Sequence, residues 1–318
     1  MEADSAHLDV LRGQVDRWFT APAISELLGR PTSQTEQIGQ AWLAGEGKRW
    51  RPVVMAGVSR AVCNTESNGS ADLQRLGTAV ECFHKASLIH DDIEDHDLSR
   101  YGAPTLHARH GVPVALNVGD YLLGEGYRLI CGATASAECK ARMLAVAAEG
   151  HCELSLGQGQ ELEWRQHPCP LPLSQVLLML RAKTAPAFVV AVRLGLLHGG
   201  GSAGADESLR KFSLALGTAY QIRDDLYDVP AEAERGLAAG CLSVLEAIVW
   251  DRTLRGLPSP APDEVQRLAH ELFEDHIRQA LAAAREIQSS RLRSLLERLV
   301  RRVFEDASFC LPTADPAG

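Results

Sequence analysis

Aromatic side chains make up only 5% of the 318 residues, while hydrophobic residues as a group reach 46%. The apolar content is therefore carried by Ala and Leu, which favours helix over strand and supplies an ample core. An all-α fold is the expectation. Positive charge is also short: 32 Lys and Arg stand against 41 Asp and Glu, a net charge of −9, which argues against a nucleic-acid-binding surface. The eight cysteines contain no CxxC pair and no repeated spacing, so neither a zinc site nor a disulfide framework is indicated. They read as reduced, mostly buried thiols. The first nine residues are polar and acidic, unlike a signal peptide, and no apolar run reaches about 18 residues, the length of a membrane span. A soluble, cytoplasmic protein without a membrane span is expected. Phosphate loops of the GxGxxG or GxxxxGK kind, a HExxH zinc helix and a GxSxG nucleophile elbow are likewise missing.

What remains is a chain of helices. Apolar residues recur at helical spacing, and Gly, Pro, Ser and Asn cluster at 63–72, 167–172, 198–206 and 256–263. Ten or more helices fit between these breaks. Residues 173–197 are rich in Leu and Val, yet their length favours a buried helix over a strand. There is no solenoid repeat. We expect one helical domain over residues 1–311 and a flexible C-terminal tail over 312–318.

Two acidic strings echo one another, Asp91-Asp92-Ile93-Glu94-Asp95 and Asp224-Asp225-Leu226-Tyr227-Asp228. On a helix, residues i and i+4 share a face, so Asp91 stacks with Asp95 and Asp224 with Asp228, with Asp92 and Asp225 beside them. Such carboxylates repel unless a cation joins them. Hard oxygen donors suit Mg²⁺, which uses one or two carboxylates, waters and a substrate phosphate. A single copy of the string reads more readily as a solvated acidic face than as a metal site. Both copies, however, follow stretches that are not wholly polar, and carboxylates interrupting apolar sequence usually face a functional cavity.

Other groups have both a plain and a functional reading. Lys48, Arg49 and Arg51 precede an apolar helical stretch; a helix N-terminus disfavours cations, and a bound anion would relieve that conflict. Arg100 lies just before a turn at Tyr101-Gly102, where it would fork onto a phosphate. Lys183-Thr184 interrupts an apolar helix ahead of Pro186, which would kink that helix or free its carbonyls. Lys183 alone reads as a snorkelling lysine. Gln221, on nearly the same face as Asp224, reads equally as a satisfied core amide. His107 and His110 are ordinary loop histidines, and Tyr121 and Tyr127 belong to the core or a cavity wall.

Taken in order, GKRWRP, FHKASLIHDDIED, RYGAPTLH, NVGDYLLGEGYRL, GQGQEL, AKTAPAF and GTAYQIRDDLYD resemble the trans-isoprenyl diphosphate synthases, the head-to-tail prenyltransferases of isoprenoid biosynthesis. The resemblance implies a single-domain all-α barrel around a deep central cavity, usually in a homodimer. Both aspartate motifs would sit at the cavity mouth. It implies that Asp91, Asp92, Asp95, Asp224, Asp225 and Asp228 hold Mg²⁺. Arg100, Lys183 and Gln221 would grip an allylic prenyl diphosphate, with Thr184 ordering the cation pocket, while Lys48, Arg51 and His84 would hold isopentenyl diphosphate.

Two departures stand out. Tyr101 replaces the second of a usual arginine pair, and the segment 229–240 is short and lacks a GK pair, leaving Arg235 as a doubtful substitute. Bulk on the helix leading into the first motif would set chain length. Ala86 and Ser87 are small and Phe83 is not, so farnesyl tails pass and growth stops near geranylgeranyl length. The rival expectations are a class I terpene synthase that cyclises a prenyl diphosphate, favoured by Tyr101, and a modulatory synthase subunit.

Overall fold

The computed structural model describes residues 2–63, 70–201, 205–234 and 242–304; side chains at 2–7, 70 and 227–234 lie outside the described ones, as does the proposed tail. The helices are α1 (Glu2–Trp18), α2 (Ala21–Leu28), α3 (Gln34–Ala44), α4 (Trp50–Val62), α5 (Ser70–Glu94), α6 (Leu106–His110), α7 (Val112–Cys131), α8 (Ala137–Gln166), α9 (Leu173–His198), α10 (Asp206–Glu234), α11 (Val244–Leu254), α12 (Pro262–Arg285) and α13 (Ser290–Phe304). Among the described residues the strands are β1 (Ser99–Arg100) and β2 (Ala103–Pro104), an antiparallel hairpin between α5 and α6. The all-α expectation holds.

Helix ends follow local chemistry. Ser33 accepts from the Glu36 N–H while the Glu36 side chain returns to the Ser33 N–H, a capping box that starts α3. Ser243 caps α11 through the Glu246 N–H, and Thr105 caps α6 through the Ala108 N–H. Proline occupies the first turn of α7 and α12, where its missing N–H is not needed. Helix α5 stops just inside the first acidic string: Asp95 N–H still bonds the Asp91 carbonyl at 2.8 Å, and His96 then turns left-handed at φ 57°.

Two compact units form. The first comprises Met1–Ala147 with Val190–Gly201, and the second Ala148–Val189 with Ser202–Gly318. In the first, α5 and α7 lie antiparallel and interlock. A Cβ at Gly119 would fall 2.3 Å from His90 Nε2, and one at Gly126 would fall 2.5 Å from the Phe83 ring. Phe83 and His90 are spaced along α5 as Gly126 and Gly119 are along α7, so each glycine receives one ring. In the second unit, α12 buries Ala269, Phe273, Ile277, Ala280 and Ala284, a stripe at helical spacing, against α10.

Pro186 does not break α9. Its missing N–H leaves the Ala182 carbonyl without the usual helical donor, and Gly157 of α8 sits against that carbonyl, where a Cβ would be 2.5 Å from the carbonyl carbon. Helix α9 is long and apolar, but Arg181, Lys183 and Arg193 interrupt it. Two tolerated charges leave it a window of mean hydropathy 1.4, long and apolar enough to cross a membrane, although 61% of that window is buried within the protein.

The cysteine expectation is corrected. Of the described thiols all are free and only Cys82 is fully buried, whereas Cys131, Cys152 and Cys169 are exposed. Cys131 is the last residue of α7 and Cys169 lies in the α8–α9 connection, where no core is available to a small apolar side chain. Cys241 and Cys310 lie outside the described residues.

Candidate functional site

In the first unit, Asp92 is the buried member of its string, 1% exposed. Its Oδ1 accepts from Arg100 Nε at 2.5 Å, and its Oδ2 is buried without a hydrogen-bond partner. Burial raises the Asp92 pKa against the lowering pull of Arg100. Asp91 and Asp95 are partly exposed on the same end of α5. An orphaned carboxylate oxygen beside two accessible carboxylates is a hard-oxygen donor set that suits Mg²⁺. Among the described residues no three His, Cys, Asp or Glu side chains already close into a metal cage.

Arg100 is brought to Asp92 by the β1–β2 hairpin, in which Ser99 pairs with Pro104 and Arg100 with Ala103. The intervening Tyr101 and Gly102 have φ of 53° and 73°, the signature of a type I′ turn. In this structure Arg100 is therefore an ion-pair partner of Asp92, with Asp97 Oδ2 at 3.9 Å. The expected phosphate ligand is a guanidinium already docked beside the carboxylates.

The basic turn separates into distinct roles. Lys48 is exposed. Arg49, which caps α4 in the left-handed conformation, is buried: it pairs with Glu81, donates to the carbonyls of Leu43 and Gly45, and stacks 4.4 Å over Phe19. It is a structural cation, not an open one. Arg51 donates from a terminal nitrogen to His84 Nε2 at 3.1 Å. Burial, then the cations Arg51, Lys85, Arg49 and Arg100, push the His84 pKa well down, so the ring is neutral and accepts at Nε2.

In the second unit, Thr184 Oγ1 donates to Gln221 Oε1 at 2.9 Å, and Gln221 Nε2 donates to Asp225 Oδ1 at 3.1 Å. Gln221 thus serves Asp225, one turn on, and not Asp224. Asp225 Oδ2 accepts the Val244 N–H at 2.7 Å. Burial lifts the Asp225 pKa to about 7 against these two donors, with Asp224 and Glu161 pushing the same way as burial. Asp224 accepts from its neighbour Arg223 at 2.7 Å. Lys183 Nζ lies 3.1 Å from Glu161, which also pairs with Arg165. The close crossing of three helices builds this network: Gly157 admits α8 to α9, and a Cβ at Gly217 of α10 would be 2.5 Å from Ala185 Cα. The Asp228 side chain, Arg235 and most of the short 229–240 segment lie outside what the structure describes.

Glu161, Lys85 and the Val244 N–H were not singled out from sequence. Glu161 is one of the few buried acids and falls in the GQGQEL string, a signal that was available. Of the chain-length residues, Phe83 stacks edge-on against Tyr127 with centroids 4.9 Å apart, Ala86 is completely buried and Ser87 is exposed. A cleft of about 360 Å³ in the second unit, lined by Arg181, Lys211, Thr218, His276, Gln279 and Glu286 among others, includes none of the candidate residues.

A model described as polyprenyl synthetase matches residues 32–236. Geranylgeranyl pyrophosphate synthase 3, chloroplastic, of Arabidopsis thaliana is 32% identical over 227 residues, which is 68% of this chain and 61% of that protein. The chain spans only 56% to 61% of the length of the first curated relatives it matches. The crystal structure of geranylgeranyl pyrophosphate synthetase from Pyrococcus horikoshii has a TM-score of 0.76 at 25% identity, covering 96% of this chain and 98% of that one. A Helicobacter pylori geranyltransferase complexed with magnesium and isoprenyl diphosphate gives 0.78 at 22% identity, covering 94% of this chain and 97% of that one.

Proposed function

The chain belongs to the polyprenyl synthetase family, and on that premise we propose that it is a head-to-tail trans-prenyltransferase. It condenses an allylic prenyl diphosphate with isopentenyl diphosphate, to farnesyl or geranylgeranyl length. The observation that carries this reading is the pair of acidic strings, each with one carboxylate tied to a candidate substrate-binding residue: Asp92 to Arg100, with its second oxygen buried and unbonded, and Asp225 to Gln221 and through it to Thr184. Clustered carboxylates of this kind repel one another unless a cation or a proton joins them.

The residues divide the work. Asp91, Asp92 and Asp95 in the first string, and Asp224, Asp225 and Asp228 in the second, would hold Mg²⁺. The ion, when bound, neutralises the diphosphate and favours its departure. Arg100, beside Asp92, and Lys183, steadied by Glu161, offer charge to the leaving diphosphate. Thr184 and Gln221 fix the rotamer of Asp225. Lys48 and Arg51 receive the diphosphate of the second substrate, and neutral His84, accepting from Arg51, keeps that guanidinium aimed. The allylic C–O bond breaks with its electron pair leaving on pyrophosphate. The isopentenyl double bond then forms the new C–C bond, and the proton lost from the adduct goes to the departing pyrophosphate. Phe83, held by Tyr127, ends the tail channel. The proposal includes a homodimer acting in the cytoplasm, with residues 1–311 as its helical domain.

The test is incubation with Mg²⁺ and dimethylallyl, geranyl or farnesyl diphosphate, with and without isopentenyl diphosphate. Longer diphosphates formed only with isopentenyl diphosphate support the reading. Hydrocarbons or alcohols formed without it identify a cyclase, and no turnover identifies a modulatory subunit.

A further inference from the structure

Lys85 is the most conspicuous charged group without a part in the chemistry above. It follows His84 on α5, is 1% exposed and has no ion pair among the described residues. Its ammonium donates to the Glu46 carbonyl, lies 4.6 Å from the Trp42 ring and 5.4 Å from the Tyr101 ring. The Glu46 carbonyl belongs to the turn that delivers Lys48, Arg49 and Arg51, and Trp42 is itself tied to α5 by its Nε1 bond to the Lys85 carbonyl at 3.1 Å. Among the described residues only a carbonyl and two rings touch the buried ammonium; burial, Arg49 and Arg100 oppose its charge, while the Glu81 and Glu46 carboxylates favour it without a direct ion pair. Its neighbours include Arg49, which pairs with Glu81, and Arg51, which donates to His84.

Tyr101 is the second half of the observation. A tyrosine at φ 53° occupies a backbone region that suits Asn or Gly, so the turn itself gives no reason for a large ring there. The ring is 48% exposed and covers the Lys85 ammonium on one side. The phenol brings a π-face to a cation that a second cation at that position would repel.

We propose that Lys85 and Tyr101 form one coupled unit: Lys85 is a positioning cation for the diphosphate held by Lys48 and Arg51, and position 101 is uncharged because Lys85 supplies the charge from beneath. The assignment rests on the proposed prenyltransferase reading. Lys85 fixes the 45–49 turn through Glu46 and adds its field to that of Arg51, while Tyr101 shields it from water. An arginine at 101 would meet Lys85, and the two positions would tolerate one cation between them rather than two.

A double-substitution cycle tests this, with isopentenyl diphosphate affinity measured by calorimetry, KM for both substrates, and thermal melting. Lys85→Thr weakens isopentenyl diphosphate binding about tenfold, through loss of the tie to the Glu46 carbonyl and of one nearby charge, with the allylic KM and kcat changed far less. Tyr101→Arg alone gives no tighter binding and a lower melting temperature. The double variant Lys85→Thr/Tyr101→Arg returns affinity to within about twofold of the parent, because one cation is again present. The inference is overturned if Lys85→Thr, folded and stable, binds isopentenyl diphosphate normally, or if the double variant binds no better than Lys85→Thr. A parent protein that neither binds isopentenyl diphosphate nor elongates a primer removes the prenyltransferase reading and this inference with it. A parent that elongates while the cycle shows no coupling removes this inference alone.

Discussion

Replacing Asp225 by Asn separates the electrostatic state of the second motif from its chemistry. In the cation-free protein the Asp225 carboxyl has a pKa of about 7 against an ordinary 3.8, because burial beside Asp224 and Glu161 outweighs the Val244 and Gln221 donors. A raised acid binds its proton more tightly folded than unfolded. Its contribution to stability is therefore complete below about pH 4 and is lost as pH rises to about 7. Between about pH 5 and pH 8 the loss is the worth of about two pKa units, roughly 3 kcal/mol at most, and partial exposure reduces it to about 1–2 kcal/mol. Asparagine does not titrate. It keeps an oxygen for the Val244 N–H but sets an amide against Gln221, a uniform loss of about 1 kcal/mol. Urea unfolding in EDTA across this range should show parent stability falling with pH and the variant curve flatter, so that the two converge or cross towards pH 8. Added Mg²⁺ with pyrophosphate should restore the parent at high pH and not the variant. Parallel curves would refute the reasoning, since they would mean that Asp225 does not titrate in that window.

Three further outcomes follow from the packing. Phe83→Ala should lengthen the product by at least one five-carbon unit in a product-length assay, and an unchanged distribution would show that Phe83 is not the floor. Gly119→Ala, whose Cβ would strike His90 only 2.3 Å away, should push His90 and the adjoining Asp91 and Asp92 out of place; we expect a melting point lower by several degrees, from about 1–3 kcal/mol of overpacking, together with a large loss of kcat. Glu81→Ala strands the buried Arg49 guanidinium and should cost about 3 kcal/mol in chemical denaturation, more than any exposed ion pair in the chain.

The helical periodicity, the breaks and the two acidic strings were legible because each is local: spacing along one helix decides them. What the strings do with their neighbours was less so. From Gln221, residues three and four positions on are both within reach, and only the side-chain rotamers in the structure choose Asp225 over Asp224. Arg100 and Asp92 are joined by a hairpin whose turn type depends on Tyr101 adopting a conformation that a tyrosine seldom takes. Arg49 and Arg51 look equivalent in sequence, yet one is consumed by Glu81 and the other faces His84. Such partnerships depend on which helix lies opposite, and glycine positions such as Gly119, Gly157 and Gly217 reveal that only once the helices are seen to cross.

The most direct measurement is the mass of the product formed from farnesyl diphosphate and isotopically labelled isopentenyl diphosphate by the purified protein with Mg²⁺. The account predicts a labelled diphosphate one five-carbon unit longer, formed in proportion to isopentenyl diphosphate consumed and abolished in Asp92→Asn. Farnesyl diphosphate returned unchanged, or converted to an unlabelled hydrocarbon or alcohol, would contradict it.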